Sequence, residues 1–249
     1  MARTQCAVRS SFRNSILLAM GAIGALACSG QKAPDEVAQT PGTPSMTPIA
    51  GRSNGGAIAN EAEDGQWIRP AKNYSSTRFS GLNQITASNV ANLRLAWTFE
   101  TGILRGQEAA PLVVNNTMYI VTPFPNYLYA LDLTKPGAPM KWVYKPGPIA
   151  ASQGVACCDV VNRGASYADG KIVYNTLDDQ TVAVDAASGQ EVWRTKVGEI
   201  NLGESMTMAP LIVKNKVIVG NSGGEFGIRG WLTALDLSSG KIVWRAYHT

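Results

Sequence analysis

The sequence is poor in the side chains that build the most familiar haem, nucleotide and metal sites. Its 249 residues include one histidine and four cysteines, and only 16% of them are charged. It contains no Cys-x-x-Cys-His haem motif, no P-loop and no dinucleotide-binding glycine fingerprint. The single histidine, His248, has no partner at the spacing of a metal site or a catalytic triad. These absences exclude an attached c-type haem and the two common nucleotide-binding loops from this sequence.

An excess of positive charge is also lacking once the N-terminus is set aside. The formal net charge is +4, and three of these charges belong to Arg3, Arg9 and Arg13. An uncharged stretch, residues 16–27, follows these arginines; it is too short to span a bilayer and ends in small residues, which is typical of an export signal. The remaining charge of +1 indicates no nucleic-acid partner.

We predict an export signal over residues 1–28, cleaved either at an ordinary signal site or at a lipobox. Ala25-Leu26-Ala27-Cys28 resembles the lipobox of bacterial lipoproteins, although Ala25 stands where leucine is usual. Lipidation of Cys28 would give an outer-membrane anchor, whereas plain cleavage would release the protein into the periplasm. Residues 29–64 are rich in Pro, Thr, Ala, Gly and Ser without apolar periodicity, and they predict a flexible linker.

Two of the four cysteines belong to the signal, which leaves one adjacent pair in the mature domain. Cys6 lies within the signal and Cys28 at its end, so Cys157 and Cys158 remain. Export places this pair in an oxidising compartment, where a disulfide can persist. Two reduced, buried cysteines are the alternative that the sequence leaves open.

A repeat of about 50 residues organises the rest of the chain. Its pattern is apolar-x-Ala-apolar-Asp, a short turn, and a strand-like segment with a tryptophan. The three clear copies run from Tyr129 to Trp142, from Val182 to Trp193 and from Thr233 to Trp244, and Trp97 belongs to a less regular first copy. We interpret the tryptophans as packing between neighbouring sheets. We interpret the repeated aspartates as turn residues that accept backbone N–H bonds, not as catalytic acids; they are Asp132, Asp185 and Asp236.

Strand-sized apolar runs fill each period. They are Leu112 to Val114, Met118 to Val121, Ile172 to Tyr174, Leu211 to Val213 and Val217 to Val219. Turn dipeptides such as Asn115-Asn116 and Asp169-Gly170 separate them, so each period holds about four antiparallel strands. The pattern predicts an all-β fold, a β-propeller of four-stranded blades, over residues 65–249. Since the sequence holds only three to four blades, we expect Thr249 to be a truncation point.

Several motifs, most of them outside the repeat pattern, resemble those of a known protein family. The N-terminal ones are Trp67, Phe79-Ser80, Asn89-Val90, Leu93 and Trp97, and the later ones are the segments 106–112, 122–126, 154–164, 207–210 and 222–227. Together they resemble the quinoprotein methanol and ethanol dehydrogenases, an eight-bladed propeller family that uses pyrroloquinoline quinone (PQQ). Gln66 and Ala71 depart from the family pattern, which has an acidic residue or Asn and a Gly there.

The resemblance implies a PQQ cofactor and a metal ion, either Ca²⁺ or a lanthanide. It implies a vicinal disulfide between Cys157 and Cys158 that lies against one face of the quinone, despite the strain of such a ring. It assigns further cofactor contacts to Glu108, Arg163, Thr207, Ser222, Gly223 and Gly224, and metal ligation to Glu225. A cofactor with three carboxylates requires an arginine, neutral donors, and glycines that let backbone N–H groups approach. Taken singly, each of these residues could instead be an ordinary turn, loop or surface residue.

The family reaction is oxidation of a primary alcohol to an aldehyde. The resemblance places the base, an Asp, and the second metal ligand, an Asn, beyond this sequence, so we expect this chain alone to be inactive. Electrons would pass to a separate acceptor such as a cytochrome c. The competing hypothesis is a non-catalytic propeller scaffold, such as an envelope lipoprotein. The predicted site residues argue against a scaffold, which needs neither a strained disulfide nor converging groups that bind carboxylates.

Overall fold

Tight turns between apolar runs produce twelve strands in the part of the chain that the structure describes. The structure is a computed structural model, and it describes residues 64–156 and 159–248. The strands form three four-stranded antiparallel sheets, each a meander in chain order. Sheet 1 consists of β1 (Leu112–Val114), β2 (Thr117–Val121), β3 (Leu128–Asp132) and β4 (Met140–Tyr144). Sheet 2 consists of β5 (Ala165–Ala168), β6 (Lys171–Thr176), β7 (Gln180–Asp185) and β8 (Glu191–Lys196). Sheet 3 consists of β9 (Leu211–Val213), β10 (Lys216–Gly220), β11 (Trp231–Asp236) and β12 (Ile242–Tyr247).

The three sheets repeat one another in detail, which confirms the predicted propeller blades. Every predicted apolar run lies inside a strand. At the β1–β2 turn, Asn115 and Asn116 have φ of 48° and 58°, the left-handed conformation that a tight hairpin turn needs. Each sheet also carries a register shift directly after the alanine of the repeat, at Ala130, Ala183 and Ala234. Short 3₁₀ helices lie in the connections at Val90–Asn92, Ala150–Gly154, Ile200–Leu202 and Gly224–Phe226.

Two of the three clearly repeated tryptophans join consecutive sheets, as predicted. The Nε1 of Trp142 donates to the carbonyl oxygen of Ala187 at 3.1 Å, and that of Trp193 donates to Leu237 at 3.0 Å. A glycine lies against each indole: a Cβ added to Gly189 or to Gly240 would lie 2.6 Å from the ring. The third member, Trp244 of sheet 3, is 43% exposed.

The repeated aspartates are turn residues, as predicted. Asp185 Oδ1 accepts bonds from the backbone N–H groups of Ser188 and Ala187 at 2.8 and 3.2 Å, and Asp236 does the same with its own turn. Side-chain hydrogen bonds from Thr134 and Ser238 lower the pKa of Asp132 and Asp236, respectively, to about 2. A carboxyl group with a low pKa is a poor general acid near neutral pH, which fits the structural role.

The less regular copy around Trp97 does not form a sheet of its own. Residues 64–111 contain no strand, and isolated bridges join Trp67 to Val113 and Ala110 to Gly164. Trp97 is half-buried beside Tyr129 of sheet 1, and the ring of Phe99 lies 5.0 Å from that of Tyr129. Side-chain packing rather than a hydrogen-bonded ladder therefore holds this segment.

The export signal, the linker up to residue 63 and Cys28 lie outside the described residues. Within residues 64–156 and 159–248, no helix is long and apolar enough to cross a membrane.

Candidate functional site

A cleft of about 270 Å³ opens where four connecting segments meet. These are the segment that precedes β1 and the β4–β5, β8–β9 and β10–β11 connections. Its lining consists of Glu108, Ala156, Asp159, Val161, Arg163, Ser205, Thr207, Ser222 and Glu225. The fold therefore brings together five residues that the sequence assigned to cofactor or metal binding: Glu108, Arg163, Thr207, Ser222 and Glu225.

Arg163 is held by two other segments of the cleft wall. Its backbone N–H donates to the carbonyl oxygen of Thr207 at 2.9 Å, and its Nη1 donates to Thr207 Oγ1 at 2.6 Å. Its Nη2 lies 3.4 Å from Glu108 Oε2. Both side chains of the ion pair are about half exposed, so the pair contributes at most about 1 kcal/mol to stability. The arrangement fixes the direction of the guanidinium while leaving it accessible from the cleft.

The loop from Ser222 to Gly227 is shaped by its own backbone. Ser222 N–H donates to Ser205 O at 2.8 Å, and Ser205 N–H donates back at 3.4 Å. Gly223 has φ of +122°, and a Cβ there would lie 2.5 Å from the carbonyl oxygen of Gly203. Glycine at 223 is therefore required by the chain itself, whatever the cleft binds.

Glu225 and Gly224 follow this turn, on its open side. A Cβ on Gly224 would meet no atom within 4 Å, so space is free beside its backbone. Glu225 lies in the 3₁₀ helix Gly224–Phe226, is exposed, and lines the cleft. The loop thus presents a carboxylate and an unobstructed stretch of backbone.

Charge in the cleft is unbalanced. The described lining holds three carboxylates, on Glu108, Asp159 and Glu225, but a single guanidinium on Arg163. An anionic ligand alone would be repelled by this set, and a cation bound beside it would relieve the repulsion. Among the described residues, no three His, Cys, Asp or Glu side chains are arranged to hold a metal ion. A cation at Glu225 would thus need oxygen ligands from elsewhere as well.

Cys157 and Cys158 lie outside the described residues, so their disulfide stays a prediction. Their neighbours on both sides, Ala156 and Asp159, line the cleft.

Three residues that the sequence did not single out contribute to the site. Ser205 lines the cleft two positions before Thr207, which is the spacing of side chains on one side of an extended segment. Asp159 directly follows the cysteine pair, and its Oδ1 accepts a bond from Val160 N–H at 2.7 Å. Asn162 is buried and braces the β4–β5 connection, because its Nδ2 donates to the backbone of β6 at 2.8 Å. The spacing of Ser205 was a usable signal, whereas a buried bracing amide has no sequence signature.

The chain is similar to known proteins along the whole part that forms the sheets and the cleft. Residues 67–249 match the family described as PQQ: Glucose/ethanol/alcohol dehydrogenase, beta-propeller domain. The chain is 53% identical over 196 residues to the lanthanide-dependent methanol dehydrogenase of Methylacidiphilum fumariolicum (strain SolV), a match that covers 79% of this chain and 32% of that protein. It is 50% identical over 192 residues to methanol dehydrogenase (cytochrome c) subunit 1 of Methylobacterium organophilum, which covers 75% of this chain and 30% of that protein.

Solved structures give the same result. A europium-containing methanol dehydrogenase matches with a TM-score of 0.72 and 54% identity, covering 73% of this chain and 32% of that chain. The quinohemoprotein alcohol dehydrogenase ADHIIG of Pseudomonas putida HK5 matches with a TM-score of 0.70 and 40% identity. This match covers 74% of this chain and 26% of that chain. The chain spans about a third of the length of the curated relatives it matches. On the family match and these identities, the chain belongs to the PQQ-dependent glucose, ethanol and alcohol dehydrogenase family and forms part of its β-propeller domain.

Proposed function

We propose that this chain forms one wall of a PQQ- and metal-dependent site that oxidises primary alcohols to aldehydes in the periplasm. The observation that carries the proposal is the single cleft shared by Arg163, Thr207 and Glu225, which come from three different connections. Relatives that are about half identical to the chain are named methanol dehydrogenases, which supports a small primary alcohol as the substrate.

Arg163 is the residue that we assign to a cofactor carboxylate. A guanidinium matches a carboxylate with two parallel N–H bonds, and here Thr207 and Glu108 already fix its orientation. Because Thr207 Oγ1 accepts from Arg163, its hydroxyl proton is left to donate to a ligand. The open backbone at Gly224 and the hydroxyl of Ser222, from the β10–β11 connection, provide neutral donors.

Glu225 is the residue that we assign to the metal. A hard cation takes oxygen ligands, and one carboxylate can offer it two. The excess of carboxylates in the cleft favours a cation of charge two or three. We therefore propose Ca²⁺ or a lanthanide: both are hard cations that take oxygen ligands, and relatives named for lanthanide dependence and for europium match this chain.

When bound, PQQ would supply the two-electron acceptor, and the cation would act as a Lewis acid beside one of its carbonyls. The described residues then bind and orient: Arg163 and Thr207 fix the cofactor's edge and Glu225 fixes the cation. The chain spans about a third of the length of its relatives, and we assign the base, an Asp, and a further metal ligand, an Asn, to the share of that length that it does not match, so this chain alone should not oxidise alcohols. We also propose a cytochrome c as the electron acceptor, and Cys28 as the lipid-bearing residue if the signal is cleaved at the lipobox.

The chain is expected to bind PQQ only when Ca²⁺ or La³⁺ is present, because the cation offsets the negative cleft. Glu225→Gln should raise the cation concentration needed for half-maximal PQQ binding by roughly tenfold, since a charged oxygen ligand becomes neutral. Quenching of tryptophan fluorescence by PQQ, titrated at fixed cation concentrations, measures both effects.

Glu100→Gln is the matched control, because Glu100 is exposed and lies outside the cleft; it should titrate like the unchanged chain. A chain that is folded by far-UV circular dichroism yet shows no cation-dependent PQQ binding would favour the scaffold hypothesis instead.

A further inference from the structure

Two buried carboxyl groups lie beside the same glycine, Gly198. Asp179 lies in the β6–β7 turn and is fully buried, and Glu204 in the β8–β9 connection is 8% exposed. A Cβ added to Gly198 would lie 2.9 Å from Asp179 Cγ and 2.9 Å from Glu204 Oε2. The two side chains therefore converge on the backbone of Gly198, out of contact with solvent.

Glu204 ties together the two segments that form one side of the cleft. Its Oε2 accepts from the backbone N–H of Glu199 at 2.6 Å, and its Oε1 accepts from Trp231 Nε1 at 2.8 Å and from Asn221 Nδ2 at 3.4 Å. These bonds suit a carboxylate, which only accepts. Glu204 and Asn221 directly precede Ser205 and Ser222, which bond to each other and line the cleft. A shift of Glu204 would thus move the cleft wall.

The Asp179 side chain, unlike that of Glu204, accepts no hydrogen bond from the described residues: neither of its oxygens has a hydrogen-bond partner among them. The charges that act on it are mostly negative, since Glu204, Asp178 and Glu199 outnumber Lys196, whose Nζ bonds Glu199 at 2.6 Å. An ionised carboxylate that is buried without a partner is strongly disfavoured. Burial, followed by the charge of Glu204, raises the pKa of Asp179 to about 8.

The repeat supplies an independent comparison. Asn126 occupies the equivalent position in sheet 1, six residues before the repeat aspartate, just as Asp179 precedes Asp185. Both residues are fully buried, and their φ angles are 61° and 63°. The Asn126 amide accepts from Leu177 N–H at 2.9 Å and donates to Thr122 O at 3.4 Å. A protonated carboxyl group has the same shape as an amide and, like it, offers both a donor and an acceptor.

We infer that Asp179 is held as the neutral acid and donates its proton to the Glu204 carboxylate, which makes it a positioning residue for the Ser205 and Ser222 side of the cleft. Loss of that proton sets two buried negative charges against each other at the junction of sheets 2 and 3. The junction then loosens, and the cleft wall with it. Only the effect on cofactor binding rests on the proposed function; the shared proton does not.

The first test compares the pH dependence of unfolding in the chain and in Asp179→Asn. The folded chain keeps the Asp179 proton up to about pH 8, whereas the unfolded chain loses it near 3.8, so rising pH favours unfolding between these values. Relative to Asp179→Asn, the unfolding equilibrium constant of the unchanged chain should rise up to tenfold per pH unit between about pH 5 and pH 7, and level off above about pH 9. Chemical denaturation at each pH measures it.

Asp169→Asn is the matched control, because Asp169 is an exposed aspartate in sheet 2 that also has positive φ. It should reproduce the pH profile of the unchanged chain. Glu204→Gln should make the loss of stability smaller and end it at a lower pH, because removing the charge that acts most strongly on Asp179 lowers the pKa of this carboxyl in the folded chain but not in the unfolded chain. Parallel profiles for the chain and Asp179→Asn would overturn the inference.

Infrared spectroscopy tests the proton directly in the unchanged chain. A protonated carboxylic acid band should be present at pH 7, and it should disappear above about pH 9 and in Asp179→Asn. Stabilisation by Ca²⁺ or La³⁺ that Asp179→Asn abolishes would instead make the pair a cation site and overturn the shared proton.

Measurement of PQQ binding as a function of pH distinguishes failure of this inference from failure of the proposed function. Between pH 6.5 and 9, the PQQ dissociation constant of the unchanged chain should rise about fivefold relative to that of Asp179→Asn. If the proton signature is present but PQQ does not bind, the proposed function fails and the buried pair stands. If PQQ binds but the proton signature is absent, the proposed function stands and the shared proton fails.

Discussion

Replacing Trp193 with alanine is expected to lower the free energy of unfolding by about 3–5 kcal/mol. The indole is 8% exposed within the apolar cluster between sheets 2 and 3, and its Nε1 bonds to Leu237 of the next sheet. Gly240 leaves just enough room for the ring, so alanine opens a cavity at the sheet junction and leaves a carbonyl without its donor. Denaturant titration of the chain, followed by circular dichroism, measures the loss.

Trp244→Ala is the matched control, because it removes the equivalent tryptophan of sheet 3, which is 43% exposed. We expect a loss of about 1 kcal/mol or less there. Trp193→Phe keeps most of the ring packing and loses the N–H donor, so it should cost about 1–2 kcal/mol. Equal losses for Trp193→Ala and Trp244→Ala would contradict the role of the buried indole as the link between sheets.

The fold was predictable because its determinants are local and repeated. A tryptophan every 51 residues and an Asp before each turn set the sheet boundaries. The structure places the three aspartates and two of these tryptophans, Trp142 and Trp193, as expected, whereas Trp244 is exposed. The segment around Trp97 was not predictable in the same way. It has the tryptophan of the repeat, but whether it pairs as a strand depends on which neighbour lies beside it, and that is a matter of tertiary contacts.

The candidate site was predictable as a set of residues but not as a geometry. The order of motifs identified Arg163, Thr207 and Glu225, yet only the fold shows Arg163 held between Thr207 and Glu108. Gly223 was predicted for access to a cofactor, whereas the close approach of Gly203 O already requires it. Asp179 follows another aspartate in a turn and looks unremarkable in sequence. Its chemistry arises from packing against Glu204, a distant residue that no spacing rule connects to it.

Arg163→Met is expected to weaken PQQ binding by roughly 10- to 100-fold, or about 1.4–2.8 kcal/mol, because a charge-assisted bond to a cofactor carboxylate is lost. The fold should be unaffected, since the Arg163 side chain is half exposed and its ion pair stabilises little. Fluorescence titration with PQQ at saturating Ca²⁺ or La³⁺ gives the dissociation constants. Arg94→Met removes the same charge from an exposed position outside the cleft, so it should bind PQQ like the unchanged chain.

Two further variants decide how Arg163 acts. Arg163→Lys should recover only part of the affinity, because an ammonium group keeps the charge but not the paired N–H geometry. If Glu108 acts by orienting Arg163, then Glu108→Ala should weaken binding a few-fold alone and add nothing in the Arg163→Met background. Strictly additive losses would mean that Glu108 contacts the cofactor independently. Equal affinity for Arg163→Met and Arg94→Met would mean that the guanidinium does not contact the cofactor, and the carboxylate partner would then have to be sought elsewhere in the cleft.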